Sequence, residues 1–467
     1  MKYLKPILLG EFQPQLFASL FPGQPVPNLR GGTAVVNLVR AHLEQGLPVD
    51  VVTLNANATE PIIRLKSDVL NIWIVRRRPS RAVRDGFRQE RKLIEDVLRD
   101  SDADVCHAHW TYEYGMAAIA QKIKPFVVTV HDHSRNILFW QGWRYAGLYL
   151  LTQYVLRKAT GRLTAVSPYV AEYAAKVSGQ PVTVIANVVA AKFRVSSFPP
   201  AAELPEADEF RETEAGGQRT EDRGQRSEDR GQISEDRDQT SEIGNRKSEI
   251  INRVQDELGI AIAGQRSGQP ETRNSKLIIP ESSPILITLA DSGRLKNIKR
   301  ALAAFSSVRK KFPQAQYRLV GNGLDVDGPM QRWAVKKGLD EGVQFCGWMP
   351  YDQAMALLRA ADVVFHPSLE ESFGYPVAEA LATGVPAVAA RQAKGCAWLL
   401  DGGKYGVLAD GRSASAMGEA LCNVLSRPDA ERIKMAGREH IQELCNGSAV
   451  LEQYQTVFHG EFLQPRC

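Results

Sequence analysis

Two carboxylates, a glycine and a proline-opened helix lie together in Glu371-Ser372-Phe373-Gly374-Tyr375-Pro376-Val377-Ala378-Glu379-Ala380. Proline at the first helical position marks a helix start, and a helix start presents unpaired N–H groups and the positive end of the dipole. The N–H groups of Phe373 and Gly374 are therefore placed to hold a phosphate, and Gly374 lets the ligand come close. Seven residues separate Glu371 from Glu379. Glu371 falls before the helix and Glu379 about a turn inside it, so both can accept hydrogen bonds from ring hydroxyls of one ligand. A phosphate held between two hydroxyl-binding carboxylates describes a sugar nucleotide.

Three further groupings carry chemistry. Arg30-Gly31-Gly32-Thr33 precedes an amphipathic helix, and a glycine pair removes side chains where a phosphate or an acceptor must approach a helix N-terminus; an ordinary tight turn is the plainer reading. His107-Ala108-His109-Trp110 ends one strand and His131-Asp132-His133 another, which gathers imidazoles and a carboxylate on adjacent loops. Such a set suits zinc, and His-x-His after a strand also occurs in barrel hydrolases. The chain has no eightfold strand-helix array, however, and a metal site would leave the second half's motifs without a purpose. Finally, Arg76, Arg77, Arg78, Arg81, Arg84, Arg88, Arg91 and Lys92 form a basic run. Phe139, Trp140, Trp143, Tyr145, Leu148, Tyr149 and Leu151 lead into Arg157 and Lys158. Together these could rest on an anionic leaflet, or be a solvated helix and a core helix.

The elements that must position these residues alternate strand and helix, an α/β signature. Pro6 to Leu9 and Val49 to Leu54 read as strands flanking a helix whose Val35, Val36, Leu38, Val39 and Leu43 share a face, with Gly46 as its stop. Strands are expected at Val105 to His107, Phe126 to Val130, Leu163 to Val166 and Val182 to Ile185. A second series follows at Ile285 to Leu289, Tyr317 to Val320, Val343 to Cys346, Val363 to Phe365 and Ala387 to Ala389. Helices are expected near Asn297 to Lys310, Pro329 to Lys337, Tyr351 to Ala360 and Pro376 to Ala382. The series predicts two doubly wound domains, residues 1–197 and 280–445, with ligands beyond the carboxyl ends of the strands. Between them, residues 198–279 turn polar, with a seven-residue period beginning at Thr220, Ser227, Ser234 and Ser241. A coiled coil needs two apolar positions per heptad. Nearly every position here is charged, Gly, Ser or Gln, so the segment is expected to be a disordered insertion.

Composition sets the outer limits. The 467 residues are 44% hydrophobic and 24% charged, enough to bury real cores and too globular for a disordered or fibrous chain. A formal charge of +5 is no footprint of a dedicated nucleic-acid binder, and no nucleic-acid partner is expected. The six cysteines show no CxxC pair or zinc-knuckle spacing, which fits a reducing, cytoplasmic setting. The apolar run near Met1 is too short for a signal segment, and no stretch approaches the roughly eighteen apolar residues of a membrane span. Membrane contact is therefore expected to be peripheral, at the inner face.

The Glu371 to Glu379 segment resembles the E-x7-E motif of retaining glycosyltransferases of family 4. Other segments stand in that family's order: Leu319-Val320-Gly321-Asn322-Gly323, Val343-Gln344-Phe345-Cys346-Gly347, Ala361-Asp362-Val363-Val364-Phe365-His366-Pro367-Ser368 and Ala382-Thr383-Gly384-Val385-Pro386. The resemblance implies the GT-B fold, two Rossmann-like domains facing across a cleft. Residues 446–467, with a helix around Val450 to Phe458, would then cross back to the first domain. It implies transfer of a hexose from a nucleoside diphosphate sugar (UDP or GDP) to a glycan or lipid-linked acceptor, with retained configuration and no metal or other cofactor, in cell-surface polysaccharide synthesis. By position Glu371 would meet the donor sugar, Glu379 the ribose, and Lys296 the departing diphosphate, while backbone near Gly347 and Trp348 would hold the base. Arg294 stands only two residues before Lys296, closer than the family's usual arginine. His109 would lie near the transferred sugar, with His131, Asp132, Gly31 and Gly32 on the acceptor side. A non-catalytic sugar-nucleotide-binding protein on the same fold is the alternative.

Overall fold

The computed structural model describes residues 2–79, 82–159, 161–189, 283–426 and 430–460. The seven-residue repeat and the expected insertion at 198–279 lie outside the described residues. The first domain is built from β1 (Pro6–Leu9), α1 (Thr33–Glu44), β2 (Val49–Asn55), β3 (Ile62–Lys66), β4 (Leu70–Arg76), α2 (Arg88–Asp100), β5 (Val105–His109), α3 (Glu113–Ala120), β6 (Phe126–Val130), α4 (Ser134–Gln141), α5 (Ala146–Lys158), β7 (Leu163–Ala165), α6 (Pro168–Ser178) and β8 (Thr183–Val184). These eight strands form one sheet in the order β3-β4-β2-β1-β5-β6-β7-β8, parallel except for the β3–β4 pair.

The second domain runs β9 (Ile285–Leu289), α7 (Ile298–Lys311), β10 (Gln316–Val320), α8 (Pro329–Lys337), β11 (Val343–Gly347), α9 (Tyr351–Arg359), β12 (Val363–His366), α10 (Tyr375–Thr383), β13 (Ala387–Ala390), α11 (Lys394–Leu399), β14 (Val407–Ala409), α12 (Ala414–Leu425) and α13 (Ala430–Leu444). Its six strands are parallel in the order β11-β10-β9-β12-β13-β14. Helices cover both faces of each sheet, which explains strands that are apolar on both sides: all of β1 is buried, as are Ile285, Leu286 and Ile287 of β9. In each sheet the strand order reverses at one point, between β1 and β5 and between β9 and β12. That reversal opens a crevice at the carboxyl edge of the sheet. Glu11 and His109 lie at the first crevice, Lys296 and Glu371 at the second.

The last helix, α14 (Gly447–Phe458), packs on the first domain. Val450, Leu451, Tyr454 and Val457 are buried in one core with Leu8, Val35, Val36 and Val39. Burying side chains of this size contributes about 1.5–3 kcal/mol each. The Gln455 amide exchanges two hydrogen bonds of 2.9 Å with the Leu4 backbone, and His459 Nε2 donates to the Lys2 carbonyl at 2.9 Å.

Candidate active site

Lys296 sits in a short turn after β9. Asn297 ends that turn in the left-handed region (φ 58), which asparagine tolerates because its short polar side chain bonds locally. Its Nδ2 donates to the Pro367 carbonyl at 3.1 Å and the Gly411 carbonyl at 2.8 Å, fixing the turn beside the loop after β12. There Lys296 Nζ donates to Glu371 Oε1 at 2.5 Å, and His366 Nε2 donates to the same oxygen at 3.2 Å. Burial works against the Glu371 charge. The Lys296 ammonium and the His366 hydrogen bond outweigh it and hold the carboxyl far below the usual carboxylate range. Lys296 is held above its ordinary value, because the Glu371 charge outweighs the cost of burial. The pair is an ionised cluster with two ammonium hydrogens left for another anion.

Gly374 (φ 97) begins α10, and a Cβ there would run into Cys396 Sγ, so a side chain is refused on conformation and on space. Among the described residues neither the Phe373 nor the Gly374 N–H donates to a backbone carbonyl. The Phe373 ring itself is buried against Tyr375 and Trp398, so this residue offers only its backbone to a ligand. Glu379 is 3% exposed and accepts from the Tyr351 hydroxyl at 2.7 Å. Burial pushes its carboxyl up to about 7, with the Tyr351 bond opposing. Gly347 (φ 66) ends β11, its N–H donating to the Leu324 carbonyl at 2.9 Å and its carbonyl accepting from Gly321 at 2.7 Å. Arg294 is exposed on the turn that carries Lys296.

The facing wall is built differently. His107 and His109, two apart on β5, project to one side with ring centroids 4.3 Å apart. His109 Nδ1 pairs with His131 Nε2 at 2.9 Å, and Trp110 stacks on His131 at 4.5 Å. His107 Nε2 pairs with Thr129 Oγ1 at 2.7 Å. Burial drives His131 and His107 down to about 3 and takes His109 well below its ordinary value, so all three imidazoles are neutral at pH 7. His109 Nε2 is buried with no partner among the described residues. Asp132 accepts from the Tyr112 hydroxyl at 3.2 Å, and burial pushes its carboxyl up to about 6, with the Tyr112 bond opposing. Glu371 and Lys296 both act on the Asp132 charge across the cleft. Gly31 (φ 97) and Gly32 (φ 77) lie over Glu11, and a Cβ at Gly32 would collide with the Glu11 carbonyl. Among the described residues no group of three or more His, Cys, Asp and Glu is arranged to hold a metal ion.

Lys296 and Glu371 are thus brought together by the start of α10, with Asp132 in electrostatic reach of both; Glu379 lies inside α10, Gly347 ends β11, and Arg294 is exposed. Several partners had no role assigned from sequence: Tyr351 under Glu379, His366 under Glu371, although it stands in the Ala361 to Ser368 segment, and Glu11 beneath the glycine pair. The basic run is partly consumed in structure, since Arg78 forms bidentate pairs with Asp85 (2.7 and 2.9 Å) and also reaches Glu90 at 2.6 Å.

Residues 31–193 match the family described as Glycosyltransferase Family 4, and residues 269–440 match Glycosyl transferases group 1. A D-inositol 3-phosphate glycosyltransferase of Corynebacterium urealyticum is 33% identical over 172 residues, 36% of this chain and 40% of that protein. One from Saccharomonospora viridis is 30% identical over 224 residues, 44% of this chain and 51% of that protein. The chain therefore aligns with about half or less of the length of these relatives. Sucrose-phosphate synthase from Thermosynechococcus elongatus has a TM-score of 0.64 at 18% identity, covering 97% of this chain and 98% of its own. Anabaena HepE in complex with UDP-glucose has a TM-score of 0.62 at 15% identity, covering 98% of this chain and 100% of its own. Two parallel-sheet Rossmann-like domains of this kind are the GT-B fold, with the first domain matching the Family 4 model and the second the group 1 model.

Proposed function

We propose that the chain is a retaining, metal-independent glycosyltransferase that moves a hexose from a nucleoside diphosphate sugar to a glycan or lipid-linked acceptor in cell-surface polysaccharide synthesis. The observation that carries this reading is the Lys296–Glu371 pair at the start of α10, opposite Asp132 and the neutral His109. A diphosphate at that helix start meets free N–H groups, the dipole and the remaining Lys296 donors, which together neutralise the charge that a divalent cation neutralises elsewhere. The bond from the hexose C1 to the diphosphate oxygen breaks, and its electron pair leaves with the diphosphate. The acceptor oxygen bonds to C1 on the same face, and its proton passes to the departing phosphate oxygen. Glu379 accepts from the ribose hydroxyls, Glu371 from the hexose, and backbone near Gly347 holds the base. Arg294 adds charge at the mouth. His109 orients the sugar, while Gly31, Gly32, His131 and Asp132 shape the acceptor side.

Uridine and guanosine are the bases to test, with UDP first because HepE is seen with UDP-glucose. Calorimetric titration of UDP, GDP and ADP in the presence of a chelator should give micromolar binding of one diphosphate, weakened about 10–100-fold in Glu379→Ala. Absence of binding to all three would overturn the reading. Binding without any sugar release from the matching donor would leave a non-catalytic sugar-nucleotide-binding protein.

Peripheral contact with an anionic membrane at the inner face belongs to the same proposal. Among the described residues no helix is long and apolar enough to cross a membrane. Between Asp132 and Glu172 the chain carries no acidic residue. In that stretch Phe139 is 78% and Trp143 87% exposed, beside exposed Arg135, Arg144, Arg157 and Lys158. Aromatic side chains among cations suit the headgroup region of an anionic bilayer.

A further inference from the structure

Glu370, the residue before Glu371, turns away from the donor crevice and reaches the other domain. Its Oε1 accepts from the Tyr169 hydroxyl on α6 at 2.7 Å, and its Oε2 accepts from Asn136 Nδ2 on α4 at 2.9 Å. On the other side of Glu371, the Ser372 carbonyl accepts from Ser167 Oγ at 2.5 Å. The donor carboxylate is therefore bracketed, one residue before and one after, by hydrogen bonds to the first domain. The partners are themselves held. The Tyr169 ring stacks on His133 at 5.0 Å, and the His133 side chain accepts from the Asn136 N–H at the start of α4. His133 directly follows Asp132, so the chain from Glu371 to Asp132 runs through Glu370, its two donors and His133.

A carboxylate satisfied by two neutral donors from two different helices is a directional contact. It is lost if the domains slide or open by an ångström or two, because hydrogen bonds weaken steeply with distance and angle. Burial raises the Glu370 pKa, with the Tyr169 and Asn136 bonds opposing. An apolar residue here would fill the gap without fixing a register.

We propose that Glu370, Tyr169 and Asn136 form an interdomain latch, and that Glu370 is a positioning residue that sets how the donor carboxylate Glu371 faces the acceptor wall at Asp132. The latch rests on the glycosyltransferase reading for its catalytic consequence, and its structural half stands without it. The nucleoside diphosphate of a bound donor is gripped by the second domain, through Lys296, Glu379 and α10. Breaking the latch therefore leaves UDP affinity intact and slows the chemical step, since misplacement of a reacting group costs rate.

The test compares full-length Glu370→Ala, Glu370→Gln and Tyr169→Phe with wild type. Hydrogen–deuterium exchange without ligand should show peptides spanning 167–173 and 368–373 exchanging faster in Glu370→Ala and Tyr169→Phe, while β9 and β1 stay unchanged. UDP affinity should stay within about twofold. Turnover of UDP-glucose, read as UDP released to water, should fall about tenfold in kcat with KM unchanged in Glu370→Ala. Glu370→Gln should recover most of it, because a glutamine oxygen still accepts from Tyr169 and its amide can pair with a flipped Asn136. Unchanged exchange in both broken variants would overturn the latch. Faster exchange with wild-type kcat would overturn the positioning role. A wild type that binds no diphosphate would overturn the glycosyltransferase reading, and the exchange data would still decide the latch.

Discussion

On the wall proposed to hold the donor, Glu371 lies 2.5 Å from an ammonium and keeps its charge in spite of burial. On the wall proposed to hold the acceptor, the His109 ring lies tilted against both His107 and His131, all three imidazoles are driven neutral, and Asp132 is pushed up to about 6. The same low-dielectric cleft thus keeps Glu371 ionised and three imidazoles neutral. What differs is the neighbour. Lys296 gives Glu371 a countercharge at contact distance, whereas each imidazole has only another imidazole, a hydroxyl or an aromatic ring beside it. A wall of fixed charge suits a group that gains charge as it leaves. Neutral imidazoles suit hydroxyls that must be oriented without being bound too tightly.

The largest effect is expected from removing the countercharge. Lys296→Ala should lower donor turnover by about a thousandfold, because leaving-group stabilisation is lost and Glu371 is left buried without its partner. Measured loss under tenfold would mean that the α10 start alone does the work, and the contrast between the walls would break. His109→Asn should cost about 10–100-fold in kcat for the same donor, with UDP affinity within about twofold. A large loss of UDP affinity would instead move His109 to the donor wall.

The smallest effect separates the two carboxylates of the α10 segment by pH. Glu379 is raised from 4.5 to about 7. Between those values the unfolded chain ionises first, the native state holds the extra proton, and stability falls as pH rises. The Tm of wild type relative to Glu379→Gln should therefore decline by a few degrees from pH 4.5 to 7 and be flat above. Glu371, depressed below 4.5, behaves in the opposite sense. Its contribution is present above pH 4.5 and is lost only as the solution is acidified further, so wild type relative to Glu371→Gln should be flat from pH 5 upward. Parallel curves for the two variants would erase the distinction.

Much of the scaffold was legible because parallel strands buried on both faces read as short apolar runs. Pro6–Leu9, Phe126–Val130, Ile285–Leu289 and the helix Pro329–Lys337 appear with the expected bounds. Val105 to His107 extends to His109, since the second imidazole is buried by the sheet and not by its own hydrophobicity. The β3–β4 hairpin and β14 were not foreseen. These lie at or next to sheet edges, and β3 has only Leu65 fully buried among partly exposed neighbours. In the site, the helix start and Glu379 were visible because local spacing encodes them. Tyr351, His366 and Glu370 were not: Tyr351 reaches Glu379 from a different helix, His366 meets Glu371 only because the loop after β12 folds back, and the Glu370–Asn136 bond joins residues more than two hundred apart, which no local pattern marks.

The closing helix α14 has a consequence for synthesis. Val450, Leu451, Tyr454 and Val457 complete the first domain's core, yet they are the last part of that core to leave the ribosome. At about 5–20 residues per second, everything after Val189 takes tens of seconds to make. During that time the groove on α1 waits with its apolar floor uncovered, while the second domain is translated and can fold. A nascent first domain of this chain is thus a natural client for a chaperone, and a stop codon just before Gly447 would harm the domain farthest from it in sequence.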